Sequence, residues 1–324
     1  MRILIVGGTS FVGRAIAFAA LDAGHDVTVI NRGETPSDLP ASVTRLIGDR
    51  QGDMSALDGL SFDVTVDAIA YRPVDVEVLA NALGDRGGHH IQISSISAYE
   101  DPALPGATEE TAQLWSDAPS EADAPITAET YGPLKAACER AASEHFGGQL
   151  TFVRPTYVIG SHDATMRFPY WVTRIQRGGN VAVAGPRDNA LQYVDARDLG
   201  EFVITLADKS TLGAFHVCGP YPAPTFFGVM QAIAEHVGPT ETNLVEVPAR
   251  HVSSHHLDSR FPLWSGSRNE TVMDLDPAKA LAAGLGLRSL EDSVDDVLAW
   301  WGDRDLPSWW LTREQEAMLV RTKP

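Results

Sequence analysis

The apolar positions of this chain alternate between two rhythms. Short unbroken runs mark strands buried on both faces: Arg2–Val6, Asp26–Asn31, Val43–Ile47, Val64–Ala70, His90–Ser94 and Leu150–Val158. Between them the apolar residues recur three or four apart, as on one face of a helix. Phe11–Ala23 is such a stretch, with Val12, Ile16, Ala19 and Ala20 aligned and a stop at Gly24. Val74–Leu83 and Tyr131–His145 are two more. Residues 100–128, rich in Pro, Ala and acids, form a long loop. This alternation predicts an α/β fold: a doubly wound parallel sheet of the Rossmann kind, with right-handed crossovers.

Beyond residue 160 the rhythm is irregular. Short strands are predicted at Val181–Ala184 and Ala214–Cys218, and helices at Asp198–Ala207, Thr225–His236 and Leu290–Trp301. The resulting division is a dinucleotide-binding domain over residues 1–160 plus about 190–218, and a smaller C-terminal substrate lobe from about 161–189 and 219–324. A chain of 324 residues, roughly two domains' worth, buries a core without staples. The charge balance, 25 Lys+Arg against 43 Asp+Glu for a net −18, repels nucleic acid and anionic membrane. No apolar run is long enough to span a bilayer. Cys138 and Cys218 build no disulfide framework and no Cys/His cluster has zinc spacing, so no metal is expected and a reducing cytoplasm is the simplest setting. The partner expected is a small-molecule substrate, not nucleic acid or membrane, with a homodimer left open.

Candidate chemistry begins at Gly7-Gly8-Thr9-Ser10-Phe11-Val12-Gly13, which follows a strand and opens a helix. Such a turn suits a dinucleotide. Glycine lets the backbone approach the pyrophosphate, and the helix N-terminus offers free N–H groups and a positive dipole end. Ser10 stands where a Gly-x-x-Gly-x-x-Gly pattern would need its middle glycine. The second strand ends at Asn31-Arg32-Gly33, with no acid to grip a ribose 2′-hydroxyl. Arg32 instead offers a fork for a 2′-phosphate, which favours NADP over NAD. Asp49, after the third strand, could accept from the adenine amine, and Ala70, at the end of the fourth, joins the cofactor set.

Tyr131-Gly132-Pro133-Leu134-Lys135 places a phenol and an ammonium four residues apart on one helix face. A cation beside a phenol lowers its pKa from about 10 toward the working pH and makes it a usable general acid or base. Ser94-Ser95-Ile96-Ser97 closes the fifth strand, and the carboxyl ends of parallel strands face the ligand.

Together the glycine turn, the serine-rich strand end with Tyr99 four residues beyond Ser95, the Tyr-x-x-x-Lys and Arg154-Pro155 resemble the short-chain dehydrogenase/reductase superfamily. More narrowly, the chain resembles the extended and atypical NAD(P)-dependent epimerase/dehydratase families, over about residues 1–220. The Gly-Gly-Thr-x-Phe-Val-Gly form with Asn-Arg-Gly is similar to isoflavone-reductase-like and chloroplast RNA-binding-protein-like members. The resemblance implies that Ser95 orients substrate, with Ser97 the alternative by a small register change. It implies that Tyr131 is the acid/base and that Lys135 also holds the nicotinamide ribose. It further implies an NAD(P)-dependent oxidoreductase, with an epimerase or dehydratase, or a non-catalytic dinucleotide- or RNA-associated protein, as alternatives. Many nucleotide-sugar epimerases carry a diphosphate-gripping arginine where this chain has Asp188–Tyr193, and none stands there.

Tyr99, Phe168, Trp171 and Arg174 are the candidate substrate contacts, because extended members build their pocket after the sixth strand. The acidic loop, with eight carboxylates between Glu100 and Glu129, must pass near the mouth of the site. It is either a solvated flap or a lid over a neutral or cationic substrate.

Overall fold

The computed structural model describes residues 1–100, 105–119, 123–266, 274–302, 304 and 306–321. The N-terminal part runs β1 (Arg2–Val6), α1 (Phe11–Asp22), β2 (Asp26–Asn31), β3 (Thr44–Ile47), β4 (Val64–Asp67), α2 (Pro73–Leu83), β5 (His89–Ile93), α3 (Tyr131–Phe146) and β6 (Leu150–Pro155). There follow β7 (Tyr157–Ile159), α4 (Arg167–Gln176), β8 (Asn180–Ala184), β9 (Tyr193–Asp195), α5 (Ala196–Asp208), β10 (Gly213–Val217), α6 (Phe226–Val237) and β11 (Asn243–Val247). The remainder is helical: α7 (Ala249–Ser254), α8 (Ala278–Ala283), α9 (Leu290–Trp301) and α10 (Arg313–Arg321).

Seven strands form one parallel sheet in the order β10-β6-β5-β4-β1-β2-β3. Strand order reverses at β1, so α1 and α2 leave to opposite faces and open a crevice at the carboxyl ends of β1 and β4. Ligands bind at such switch points in open α/β sheets. The fold is the expected doubly wound Rossmann sheet. Ile3, Ile5, Val27, Val29 and Val66 on one face pack against α1 and α5, the latter through Leu199, Phe202 and Val203. Leu4, Val6 and Ile30 on the other face pack against Leu79 and Leu83 of α2.

The predicted strand Leu150–Val158 is interrupted. Pro155 ends the ladder against Val217, since it has no N–H to carry the pairing on. β7 then leaves the main sheet and pairs with β9. A separate core forms from α4, α6 and α9 around β8 and β11, centred on Trp171, Phe226 and Ile233. The pairs Trp300-Trp301 and Trp309-Trp310 pack here, Trp301 stacking on Trp310 with ring centroids 5.4 Å apart. Among the described residues no helix is long and apolar enough to cross a membrane.

Candidate active site

The glycine turn approaches the sheet more closely than a side chain would allow. A Cβ on Gly13 would lie 2.2 Å from the Gly7 carbonyl oxygen, so only glycine lets the first turn of α1 sit on the end of β1. Ser10 caps α1 with extended backbone, and its hydroxyl makes no capping hydrogen bond within the chain. Beside it a cavity of about 350 Å3 is lined by Gly7, Thr9, Ser10, Asn31, Arg32 and Asp49, all six expected from the sequence. It is also lined by Arg50, Ile69, Tyr71 and Arg72, which sequence reasoning missed. Phe11 and Val12 do not line it: Phe11 lines a second cavity against α5, and Val12 packs on the core.

The polar groups of this cradle fit a dinucleotide. The Asn31 amide oxygen accepts from Gly33 N at 2.8 Å, so the side chain is spent on the turn. Arg32 is exposed, and its nearest partner is the exposed Glu34 at 3.0 Å, an easily exchanged contact. One oxygen of Asp49 accepts from Gln51 N at 3.0 Å. Arg50 is buried and pairs with Asp67 Oδ1 at 2.6 Å. Burial alone would raise the Asp67 carboxyl; the Arg50 charge and hydrogen bond outweigh it and hold the carboxyl below its ordinary range.

The proton-transfer set lies at the other end of the crevice. Ser95 is 9% exposed and its hydroxyl accepts from Ser97 N at 3.1 Å, closing a tight turn after β5. α3 begins directly against that turn. A Cβ on Gly132 would lie 2.2 Å from the Ser97 carbonyl oxygen, so the residue after Tyr131 must be small for the helix to dock. The docking brings Tyr131 to Ser95, whose hydrogen bond favours the ionised phenol, and Arg167 adds its charge. Burial outweighs both and leaves the Tyr131 pKa above its ordinary value.

This corrects the electrostatic expectation. Lys135 is 3% exposed and its Nζ donates to the carbonyls of Ala70 at 2.9 Å and Ile93 at 2.7 Å, bridging the ends of the β4 and β5 segments. The cation whose charge lowers the phenol pKa is Arg167, while Lys135 is held on the two carbonyls. Ala70 enters the site through that carbonyl. Tyr71, unnoticed in the sequence, stands between: its ring centroid is 5.5 Å from Lys135 Nζ and 6.4 Å from the Tyr131 ring.

None of the four expected substrate contacts lines the crevice. Phe168 and Trp171 are 1% and 0% exposed in the second core, where Trp171 Nε1 donates to the Pro262 carbonyl at 2.7 Å. Their apolar rings share a face of α4 that the lobe buries. Arg174 points to the far side of the lobe and binds Glu316 at 2.8 Å. Tyr99 turns inward from the serine turn. Its hydroxyl meets His216 Nε2 at 2.5 Å and accepts from Arg154 at 2.8 Å, and Arg154 forks onto Glu139, which also accepts from Ser94. This buried network braces the serine turn from below. The residue that does reach the site from α4 is Arg167, whose guanidinium lies 5.4 Å over the Tyr157 ring.

The loop before α3 is docked rather than loose where it is described. Glu109 accepts from His216 N at 2.6 Å and Glu110 pairs with Lys279 at 3.2 Å. Gly106 N and Asp276 N exchange bonds across to the segment around Asp274. Asp101 and Glu121 lie outside the described residues. The Asp188–Tyr193 stretch is structural: Gln192 donates to the Leu275 carbonyl at 2.8 Å, and Arg187 stacks 3.6 Å over the Phe227 ring, in a different cavity.

Residues 74–218 match the NAD dependent epimerase/dehydratase family. The match covers under half of the chain and takes in β5, α3 and β6 with Ser95, Tyr131 and Lys135. The chain is 24% identical over 263 residues to the chloroplast stem-loop binding protein of 41 kDa b of Arabidopsis thaliana, covering 75% of this chain and 65% of that protein. It is 35% identical over 105 residues to the bifunctional pinoresinol-lariciresinol reductase of Thuja plicata, 31% of this chain and 32% of that enzyme. The matches therefore span less than two thirds of either relative. In fold it is similar to UDP-glucuronic acid 4-epimerase from Bacillus cereus, solved in complex with NAD, with a TM-score of 0.67, 16% identity and coverage of 93% and 98% of the two chains.

Proposed function

We propose that this protein is an NADP-preferring oxidoreductase of the short-chain dehydrogenase/reductase type that interconverts a carbonyl and an alcohol on a small substrate. The observation that carries the reading is the convergence of Ser95, Tyr131 and Lys135 at one end of a crevice whose other end offers the exposed Arg32. Bound in the crevice, the nicotinamide would supply or take up a hydride. Gly7, Thr9, Ser10 and the α1 N-terminus would hold the pyrophosphate, Arg32 a 2′-phosphate and Asp49 the adenine. Ser95 would donate to the substrate oxygen while Tyr131 gives or takes the proton there. Lys135, fixed on two carbonyls, would keep its remaining N–H for a ribose hydroxyl. Arg167 favours a substrate with an electron-rich or anionic group near the reacting oxygen.

A nucleotide-sugar substrate is disfavoured by the absence of a free arginine along Asp188–Tyr193 and by Arg187 stacking on Phe227. An epimerase or dehydratase would hold its cofactor through turnover, whereas a reductase exchanges it. The test is oxidation of added NADPH by a panel of carbonyl compounds, with the cofactor content of the purified protein measured alongside. Exchangeable cofactor with carbonyl-dependent oxidation supports the reductase. Tightly retained cofactor with micromolar-KM turnover of a nucleotide sugar, the low end of typical enzyme values, overturns it. The stem-loop-binding relative raises an RNA reading, against which the net charge of −18 stands.

A further inference from the structure

The second lobe carries a concave surface unrelated to the crevice. A cavity of about 530 Å3 lies between the end of α4, the Gly178-Gly179 turn and α10. Four arginines line it, Arg174, Arg177, Arg313 and Arg321, with one carboxylate, Glu316. In a chain with 18 more acids than bases, such a concentration runs against the average.

Glu316 is already spent. It is 7% exposed and accepts from Arg174 Nε at 2.8 Å and from Ala182 N at 3.0 Å. Arg174 in turn donates to the carbonyls of Gly178 at 2.9 Å and Asn180 at 2.7 Å. This pair makes a rigid floor. Arg177 donates through Nε to the Thr173 carbonyl at 3.2 Å, which leaves its two terminal nitrogens. Among the described residues no carboxylate forms an ion pair with Arg177, Arg313 or Arg321; Arg174 has the one there is. Behind the floor, Tyr170 is 1% exposed and its hydroxyl has no hydrogen-bond partner, although the charges of Glu316, Arg174 and Arg177 reach it.

We propose that this cavity binds a phosphorylated small molecule through Arg177, Arg313 and Arg321, on the floor made by Arg174 and Glu316. Guanidinium forks match phosphate oxygens two by two, and convergent unpaired cations repel one another until a dianion joins them. The volume exceeds what one phosphate fills, so a phosphate ester fits better than the free ion. α4 separates this site from Tyr131: its 10 residues run about 15 Å, with Arg167 at the active-site end and Arg174 at the other.

The test is calorimetric titration with inorganic phosphate and with a hexose monophosphate, at constant ionic strength, on the wild type, Arg313→Ala/Arg321→Ala and Arg32→Ala. Both residues of the double variant are exposed, so its fold is expected to survive, which a circular-dichroism melt verifies. The expected result is saturable binding, weakened at least about tenfold in the double variant and unchanged in Arg32→Ala. Tighter binding of the ester identifies an organic phosphate, and equal binding identifies the free ion; both support the site. No saturable heat overturns it. So does binding that Arg32→Ala removes and the double variant keeps, which would belong to the cofactor crevice. Concentration-dependent self-association lost in the double variant, without phosphate binding, would assign the arginines to an acidic surface of a second copy and also overturns it.

Discussion

Lys135 and Arg174 are both largely buried cations on helices, and both stand out in the sequence, yet they are held by different kinds of partner. Lys135 bridges two main-chain carbonyls, of Ala70 and Ile93, at the ends of adjacent strand segments. Arg174 depends on the side chain of Glu316, 142 residues away on the last helix. The first geometry needs only main chain: the Ile93 carbonyl ends β5 and the Ala70 carbonyl lies in the loop three residues after β4, so no distant side chain is required. The second needs a specific distant acid. The crevice is accordingly written in short local motifs, and the lobe is not.

The comparison breaks first at Tyr131. Tyr131→Phe is expected to lower kcat by about 10²–10⁴ while cofactor affinity, by fluorescence titration, stays within about threefold. Retention of a third of the wild-type rate would remove Tyr131 from the acid/base role. Because burial raises its pKa above the ordinary 10.0 and carbonyl reduction needs the protonated phenol, kcat/KM for reduction should stay flat through pH 9. Ser95→Ala removes the hydrogen bond that favours phenolate, so it should push the alkaline fall still higher. A fall centred near pH 7 in the wild type would contradict this electrostatic picture.

In the lobe the corresponding experiment moves stability instead. Trp171→Ala should cost about 3–5 kcal/mol of unfolding free energy, because the ring is 0% exposed and meets Tyr170 and Phe226 edge-on. At temperatures where it stays folded it should bind cofactor normally. An unchanged melting temperature with a tenfold lower kcat would return Trp171 to the substrate pocket.

Arg32→Ala sharpens the crevice side. It should weaken NADPH binding by about 10- to 150-fold, the value of a charge-assisted phosphate contact of about 1.5–3 kcal/mol, and leave NADH binding nearly unchanged. Equal losses for both cofactors would dismiss the 2′-phosphate contact.

The smallest effect concerns the packed side of the sheet, where the buried His90 stacks on Phe146 with ring centroids 3.8 Å apart. Burial lowers its pKa from 6.5 to about 4, against the pull of Asp67. The folded pKa lies below the unfolded one, so the unfolded chain takes up the proton first. Stability is lost as pH falls through that window, about 2 kcal/mol by pH 5. Urea unfolding at pH 7 and pH 5 should show a smaller drop for His90→Leu than for the wild type. Equal drops would mean that His90 is protonated in the folded state.

Much of this molecule was legible without coordinates. Buried parallel strands read as unbroken apolar runs alternating with helices, so the doubly wound Rossmann sheet follows from patterning, while the order of its strands came from the structure. That Gly7, Thr9, Ser10, Asn31, Arg32 and Asp49 line one cavity was likewise legible, because the carboxyl ends of adjacent parallel strands converge whatever their side chains. Ser95, Tyr131 and Lys135 belong to the same class. Arg50, Tyr71 and Arg72 occupy strand-end loops too, but no motif spacing distinguishes them from ordinary loop residues.

Tertiary structure decided the rest. α4 has large apolar residues and arginines on the same short segment, and only the position of α6, α9 and α10 determines which side is core. Phe168 and Trp171 went to that core, Arg174 to Glu316, and Arg167 alone to the active-site end. The sign of the Tyr131 shift was also out of reach of spacing. Residues four apart on a helix share a face, but burial depth and the competing carbonyls of Ala70 and Ile93 determine where the ammonium charge is used. Local sequence sets which groups a strand end presents. Long-range packing sets the dielectric around them and the partners they meet, since both depend on segments brought together only by the finished fold.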